Sequence, residues 1–185
     1  MKPMVAVFDV ATSTGVAWGR VGAKAQVETW NLRNAGEGRP ARLCLFSSLC
    51  DRFFLNHRPD VVRFEAPMPI AVASRVGATE QVMLLLRGAI GVLESRAYNA
   101  GVSDIGSFSV HDARKHLTGQ RTFPKDAKGK NTAKAEVMKV ARMLGVTVSD
   151  DNQADAFAGW SYTCGLLNPR YALAITPLFG KRPAA

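Results

Sequence analysis

The chain has 185 residues, 47% of them hydrophobic, enough to bury a full core in one unit of ordinary domain size. Lys and Arg exceed Asp and Glu by 24 to 15, giving a formal charge of +9 and a pI near 9.9, so a nucleic acid is a more natural partner than a membrane. The longest apolar runs, such as Val82–Leu86, fall far short of the roughly 20 residues that span a bilayer, and Met1–Asp9 lacks a signal-peptide layout, so a soluble, cytoplasmic protein is expected.

Met4–Val10 (MVAVFDV), Gly15–Val21 and Gln26–Leu32 are separated by turn residues, which predicts three strands in hairpin connection. Arg39–His57 carries Leu43, Phe46, Leu49, Phe53 and Phe54 at helical spacing, and Pro59-Asp60 punctuates before a strand over Val61–Glu65. Pro67 and Pro69 keep Ala66–Gly77 irregular. Val82, Leu85, Leu86, Ala89, Ile90 and Leu93 then predict a long helix over 78–100, which Asn99-Ala100-Gly101 ends. Ile105–Val110 reads as a fifth strand, His111–Leu117 as a short helix, Gly119–Asn131 as a Gly/Lys-bearing loop, and Thr132–Leu144 and Asn152–Leu166 as helices. The expected fold class is α/β, a mixed five-stranded sheet (antiparallel meander plus parallel strands) flanked by helices. One domain is expected over 1–168, followed by an extended tail over 169–185. Cys44, Cys50 and Cys164 form no CxxC pair and are odd in number, so buried free thiols are expected rather than disulfides or a zinc site.

Four acids interrupt or follow apolar runs, where an ionised side chain is costly unless it binds something. Asp9 ends the first strand and Glu65 ends the fourth, where carboxylates can converge in the crevice outside a sheet. Asp151 and Asp155 are four residues apart, so they share a helix face and repel, which a cation would relieve. Blander readings exist: Asp9 as the cap of the Ala11–Thr14 turn, Glu65 as a solvated strand end, and Asp150 or Asp151 as a helix cap. Asp155, one turn in among apolar residues, has no such role. Residues 111–142 hold nine Lys or Arg (Arg114, Lys115, Arg121, Lys125, Lys128, Lys130, Lys134, Lys139, Arg142) against Asp112, Asp126 and Glu136. That surplus of six just before the acidic helix suits phosphate contact.

The segments FDVATSTGVAWG, RFEAP, HDARKHLTG followed by KGKNTAKAEVM, and above all the terminal DDNQADAFA, together resemble the RuvC-like Holliday junction resolvases of the ribonuclease H-like superfold, especially their shorter phage-type members. The likeness spans roughly residues 4–166. It implies a homodimeric endonuclease that cuts four-way DNA junctions, leaving a 5′ phosphate and a 3′ hydroxyl. It also implies two Mg2+ ions, replaceable by Mn2+, about 4 Å apart on Asp9, Glu65, Asp151 and Asp155. Val10-Ala11 departs from the Gly-containing turn of cellular members, and Asn152 stands at their penultimate ligand position, a role that passes here to Asp151, with the Asn152 amide oxygen as the alternative. Lys134 matches a lysine near the scissile phosphate, and Arg114 or Lys115 a second basic position. The loop from Ala66 to Gly77 matches one that enters the junction. Met68 falls where cellular members carry a wedging Phe, and with Ile70 and Arg75 it is expected to touch DNA, although packing of Met68 and Ile70 on the sheet is the plain alternative. The 78–100 helix is the expected dimer face. Rival readings are a ribonuclease H-like nuclease for another branched DNA or a hybrid, and a catalytically weak junction-binding protein. A sugar-kinase or actin-like ATPase is disfavoured by the short chain and the lack of a second Gly-rich phosphate loop, so no nucleotide cofactor is expected.

Overall fold

The structure is a computed structural model that describes residues 2–36, 38–69, 72, 75, 77, 79–125 and 132–170. Strands β1 (Met4–Asp9), β2 (Ser13–Arg20), β3 (Gln26–Asn31), β4 (Val61–Glu65) and β5 (Asp104–Phe108) form one sheet in the order β3-β2-β1-β4-β5. The first three are an antiparallel meander, and β4 and β5 add in parallel beside β1. Strand order therefore reverses between β1 and β4, and the carboxyl ends of both strands open on the resulting crevice. The helices are α1 (Arg39–His57), α2 (Glu80–Asn99), α3 (Val110–Thr118), α4 (Ala133–Met143) and α5 (Asp151–Leu167). A 3₁₀ turn over Leu32–Ala35 precedes α1. Most of the tail expected over 169–185 lies outside the described residues.

Side-chain alternation along the strands divides the core in two. Val5 and Val7 of β1, Ala17 of β2 and Val61 of β4 face α3, α4 and α5, packing with Leu117, Val137, Phe157 and Trp160. Ala6, Phe8, Val16, Val62 and Phe64 face α1 and α2, where Phe8, Trp30, Phe46, Phe53 and Phe54 meet mainly edge to face. By the same alternation Asp9 and Glu65, two residues beyond Val7 and four beyond Val61, belong to the α5 side.

Side-chain caps fix the starts of α2, α3 and α5: Thr79 Oγ1 accepts from Val82 N, Ser109 Oγ from Asp112 N, and Asp150 Oδ1 from Gln153 N. Arg58, in the left-handed region at φ 45°, ends α1 before Pro59. Cys50 and Cys164 are buried free thiols as expected, but Cys44 is exposed because it lies on the solvent side of α1. Among the described residues no helix is long and apolar enough to cross a membrane.

Candidate active site

Two glycines let α5 sit directly on the sheet. A Cβ on Gly15 would stand 2.0 Å from the Asn152 carbonyl oxygen, and one on Gly159 would stand 2.4 Å from Phe108 Cζ and 2.8 Å from Val7 Cγ1. Gly15 is also the register partner of Asp9, so the first turn of α5 meets the sheet beside that acid. Thr29 of β3 fastens the same end, donating to Asp150 Oδ2 at 2.6 Å and accepting from Gln153 Nε2 at 3.1 Å. Asp150 is thus a cap. The Ala11–Thr14 turn is closed by Thr14, whose Oγ1 donates to Ala11 O at 2.7 Å and accepts from Ala11 N at 3.3 Å. Neither position signals itself in sequence, since an isolated Gly or Thr in a strand has many uses.

Asp9, Glu65 and Asp155 come together electrostatically. Burial, then the charge of Glu65 and a hydrogen bond shared with it, then the charge of Asp155, push the Asp9 carboxyl up to about 8 against an opposing pull from Lys134. Burial raises Glu65 as well; Asp155 adds to the rise, while the Asp9 hydrogen bond, Arg114 and His111 oppose it. The Asp9–Glu65 pair therefore retains a proton near neutrality. Asp155 is 5% exposed, and Arg114 of α3 clamps both its oxygens, Nε to Oδ1 at 2.9 Å and Nη2 to Oδ2 at 2.7 Å. Burial pulls the Arg114 guanidinium down, but the hydrogen bonds and charge of Asp155 outweigh that and raise it.

Half-buried Asp151 bonds through Oδ2 to Lys134 Nζ. Burial lowers Lys134, and the Asp151 hydrogen bond, with the charges of Asp151, Asp155 and Asp9, raises it overall. The like charges expected to crowd one face of α5 are thus each neutralised by a base, one from α3 and one from α4. The Asn152 main chain is the part that meets Gly15.

Carboxylate oxygens are the donors that suit Mg2+ and Mn2+, and a divalent ion beside Asp9 and Glu65 would replace their retained proton. The donor chemistry therefore fits such a cation. As the side chains lie, however, Asp155 and Asp151 are engaged by Arg114 and Lys134, and among the described residues no three Asp, Glu, His or Cys side chains are grouped closely enough to hold one ion.

Met68 is 51% exposed and, with Val82, Met83, Leu86, Arg87 and Ile90, lines a cavity of about 260 Å³ that also touches Asp9 and Glu65. Arg75, Lys115, Arg121 and Lys125 are exposed. Ile70, Lys128 and Lys130 lie outside the described residues.

No protein-family model and no curated protein matches this chain. Solved structures do match in fold, which is the RuvC-like form of the ribonuclease H architecture. RuvC from Thermus thermophilus superposes with a TM-score of 0.59 at 18% identity, covering 84% of this chain and 89% of that one. The same organism's RuvC in complex with Holliday junction substrate gives 0.56 at 16% identity, with 84% and 88% covered. The yeast mitochondrial Holliday junction resolvase Ydc2 gives 0.51 at 11% identity, with 91% and 82% covered.

Proposed function

We propose that this chain is a divalent-metal-dependent, structure-selective endonuclease that resolves four-way DNA junctions. The observation that carries the reading is the hydrogen-bonded pair Asp9 and Glu65 at the strand ends and its electrostatic coupling to Asp155 near the start of α5, in a protein of charge +9 whose fold is shared with RuvC bound to a Holliday junction. Asp9, Glu65, Asp151 and Asp155 would hold two Mg2+ ions, or Mn2+ in their place. When bound, such ions would activate water and stabilise the leaving 3′ oxygen of a phosphodiester, giving 5′ phosphate and 3′ hydroxyl ends.

Lys134 and Arg114 are the cations of the site, and they would bind the scissile phosphate and offset the charge that builds on it. Exposed Met68 would press on an unstacked base step. Arg75, Lys115, Arg121, Lys125, Lys128 and Lys130 would hold the phosphate backbone. Two copies about a twofold axis would match the symmetry of a junction.

Incubation of an end-labelled four-way junction with Mg2+ tests the reading: paired nicks from the wild type are expected, with none from Asp9→Asn or Asp155→Asn. Unchanged cutting by those variants refutes the assignment. The engagement of both Asp155 oxygens by Arg114 favours one second reading, junction binding without efficient cutting. Binding in EDTA, with no nicks in either Mg2+ or Mn2+, would select it.

A further inference from the structure

Four arginines at the carboxylate end of the sheet belong neither to the acidic cluster nor to the basic segment around α3 and α4. Arg33 lies in the 3₁₀ turn that leaves β3, Arg39 and Arg42 lie at the start of α1, and Arg87 lies in the second turn of α2. The starts of α1 and α2 are side by side, since a Cβ on Gly88 would stand 3.2 Å from Leu43 Cδ1. Arg87 borders the same cavity as Asp9, Glu65 and Met68.

Arg33, Arg39 and Arg87 are exposed. Arg42 is half-buried, and its Nε is buried without a hydrogen-bond partner. Among the described residues none of the four makes an ion pair, whereas Arg63, Arg96, Arg114, Lys134 and Lys139 all do. The acids nearby in sequence are few: residues 31–50 contain Glu37 alone, and residues 79–90 contain Glu80 alone. Like charges gathered at one end of a fold without ion-pair partners repel one another, and a polyanion would relieve that repulsion.

Leu32, Leu43 and Ala89, chain neighbours of these arginines, pack on the α1–α2 side of the sheet, while Ala113 and Leu117, which flank Lys115 on α3, pack on the other side, from which the segment bearing Arg121 and Lys125 continues. Basic surfaces therefore flank the carboxylates on both faces. We infer that Arg33, Arg39, Arg42 and Arg87 form a second phosphate-binding track, which holds the arm of a branched nucleic acid that leaves the site across α1 and α2. The inference rests on the nuclease reading and adds to it a path for a second arm.

Fluorescence anisotropy of a synthetic four-way junction, titrated in EDTA at several KCl concentrations, tests it. Each phosphate contact contributes about −0.9 to the slope of log K against log salt. The Arg33→Gln/Arg39→Gln/Arg42→Gln variant should therefore lose about two to three of that slope, and Arg87→Gln about one. The triple Lys variant should keep the slope, because it keeps the charge. Lys24→Gln, in the exposed β2–β3 turn at the other end of the sheet, should also keep it. A wild type without salt-dependent binding overturns both readings. A wild type that binds, alongside a triple Gln variant of unchanged slope or a Lys24→Gln variant that loses as much, overturns this one alone.

Discussion

Gly15→Ala places one methyl group where the seat of α5 has no room. The new Cβ would stand 2.0 Å from the Asn152 carbonyl oxygen and 2.4 Å from its carbon, against ordinary contact at 3.4 Å or more. Both neighbours are main-chain atoms, so no rotamer change relieves the overlap, and the start of α5 must retreat by roughly 1.4 Å to reach ordinary contact. Overpacking of this kind costs about 1–3 kcal/mol, which for a chain of this size lowers Tm by roughly 2–12 °C. The retreat also carries Asp151 and Asp155 away from Asp9 and Glu65, and a misplacement of about 1 Å in a catalytic constellation costs on the order of 100-fold in rate. The signature is thus disproportion: at a temperature where urea titration shows the variant folded, junction nicking should fall about 100-fold. A Gly15→Ala protein that nicks within a few-fold of wild type, with unchanged Tm, would refute the claim that close approach at Gly15 sets the site.

The other predictions concern the charges. Asp9 titrates near 8 in the folded protein against an ordinary value of 3.8, so between those values the folded state binds more protons and stability falls as pH rises. In EDTA the wild-type Tm should drop from pH 5 to pH 8 more than that of Asp9→Asn; parallel curves would contradict the raised titration. Adding Mg2+ at pH 8 should raise the wild-type Tm, by about 2.7 kcal/mol of stabilisation at 100 times Kd, and leave Asp9→Asn unmoved; an equal rise in both would place the ion elsewhere. Removing Arg114 strands a buried carboxylate, so Arg114→Ala should lose about 3–5 kcal/mol in metal-free urea titrations, with Arg114→Lys recovering part of it. A loss below about 1 kcal/mol, the level of a surface pair, would mean that Asp155 does not depend on this partner.

Strands and helices with strong local punctuation are legible in the sequence. The bounds of α1 and β4 agree with the sequence reading because the spacing of Phe46, Phe53 and Phe54 is unambiguous and Pro59 and Pro67 close the gaps around β4. The 3₁₀ turn over Leu32–Ala35 was not legible, since Leu32 continues the apolar pattern of β3 and is fully buried like a strand residue. Within the site, strand-end position announces Asp9 and Glu65, and helix periodicity announces Asp155. The pairing of Asp155 was hidden, because Arg114 is 41 residues away and stands out in sequence only as a base for phosphate, interchangeable with Lys115. Gly15 and Gly159 were hidden for a different reason: their significance is the absence of a side chain at a contact that exists only after α5 docks.

The burial of α5 ties the site to the rest of the molecule. From Ala154 to Gly165 all but Tyr162 of this helix is enclosed, so Asp155 is mounted on the innermost rod of the architecture rather than on an adjustable rim. Acidic cluster and framework then share one fate: any fluctuation that loosens this rod pulls Asp155 out of register with Asp9 and Glu65 at once, whereas the arginines and lysines of the periphery can change without disturbing it.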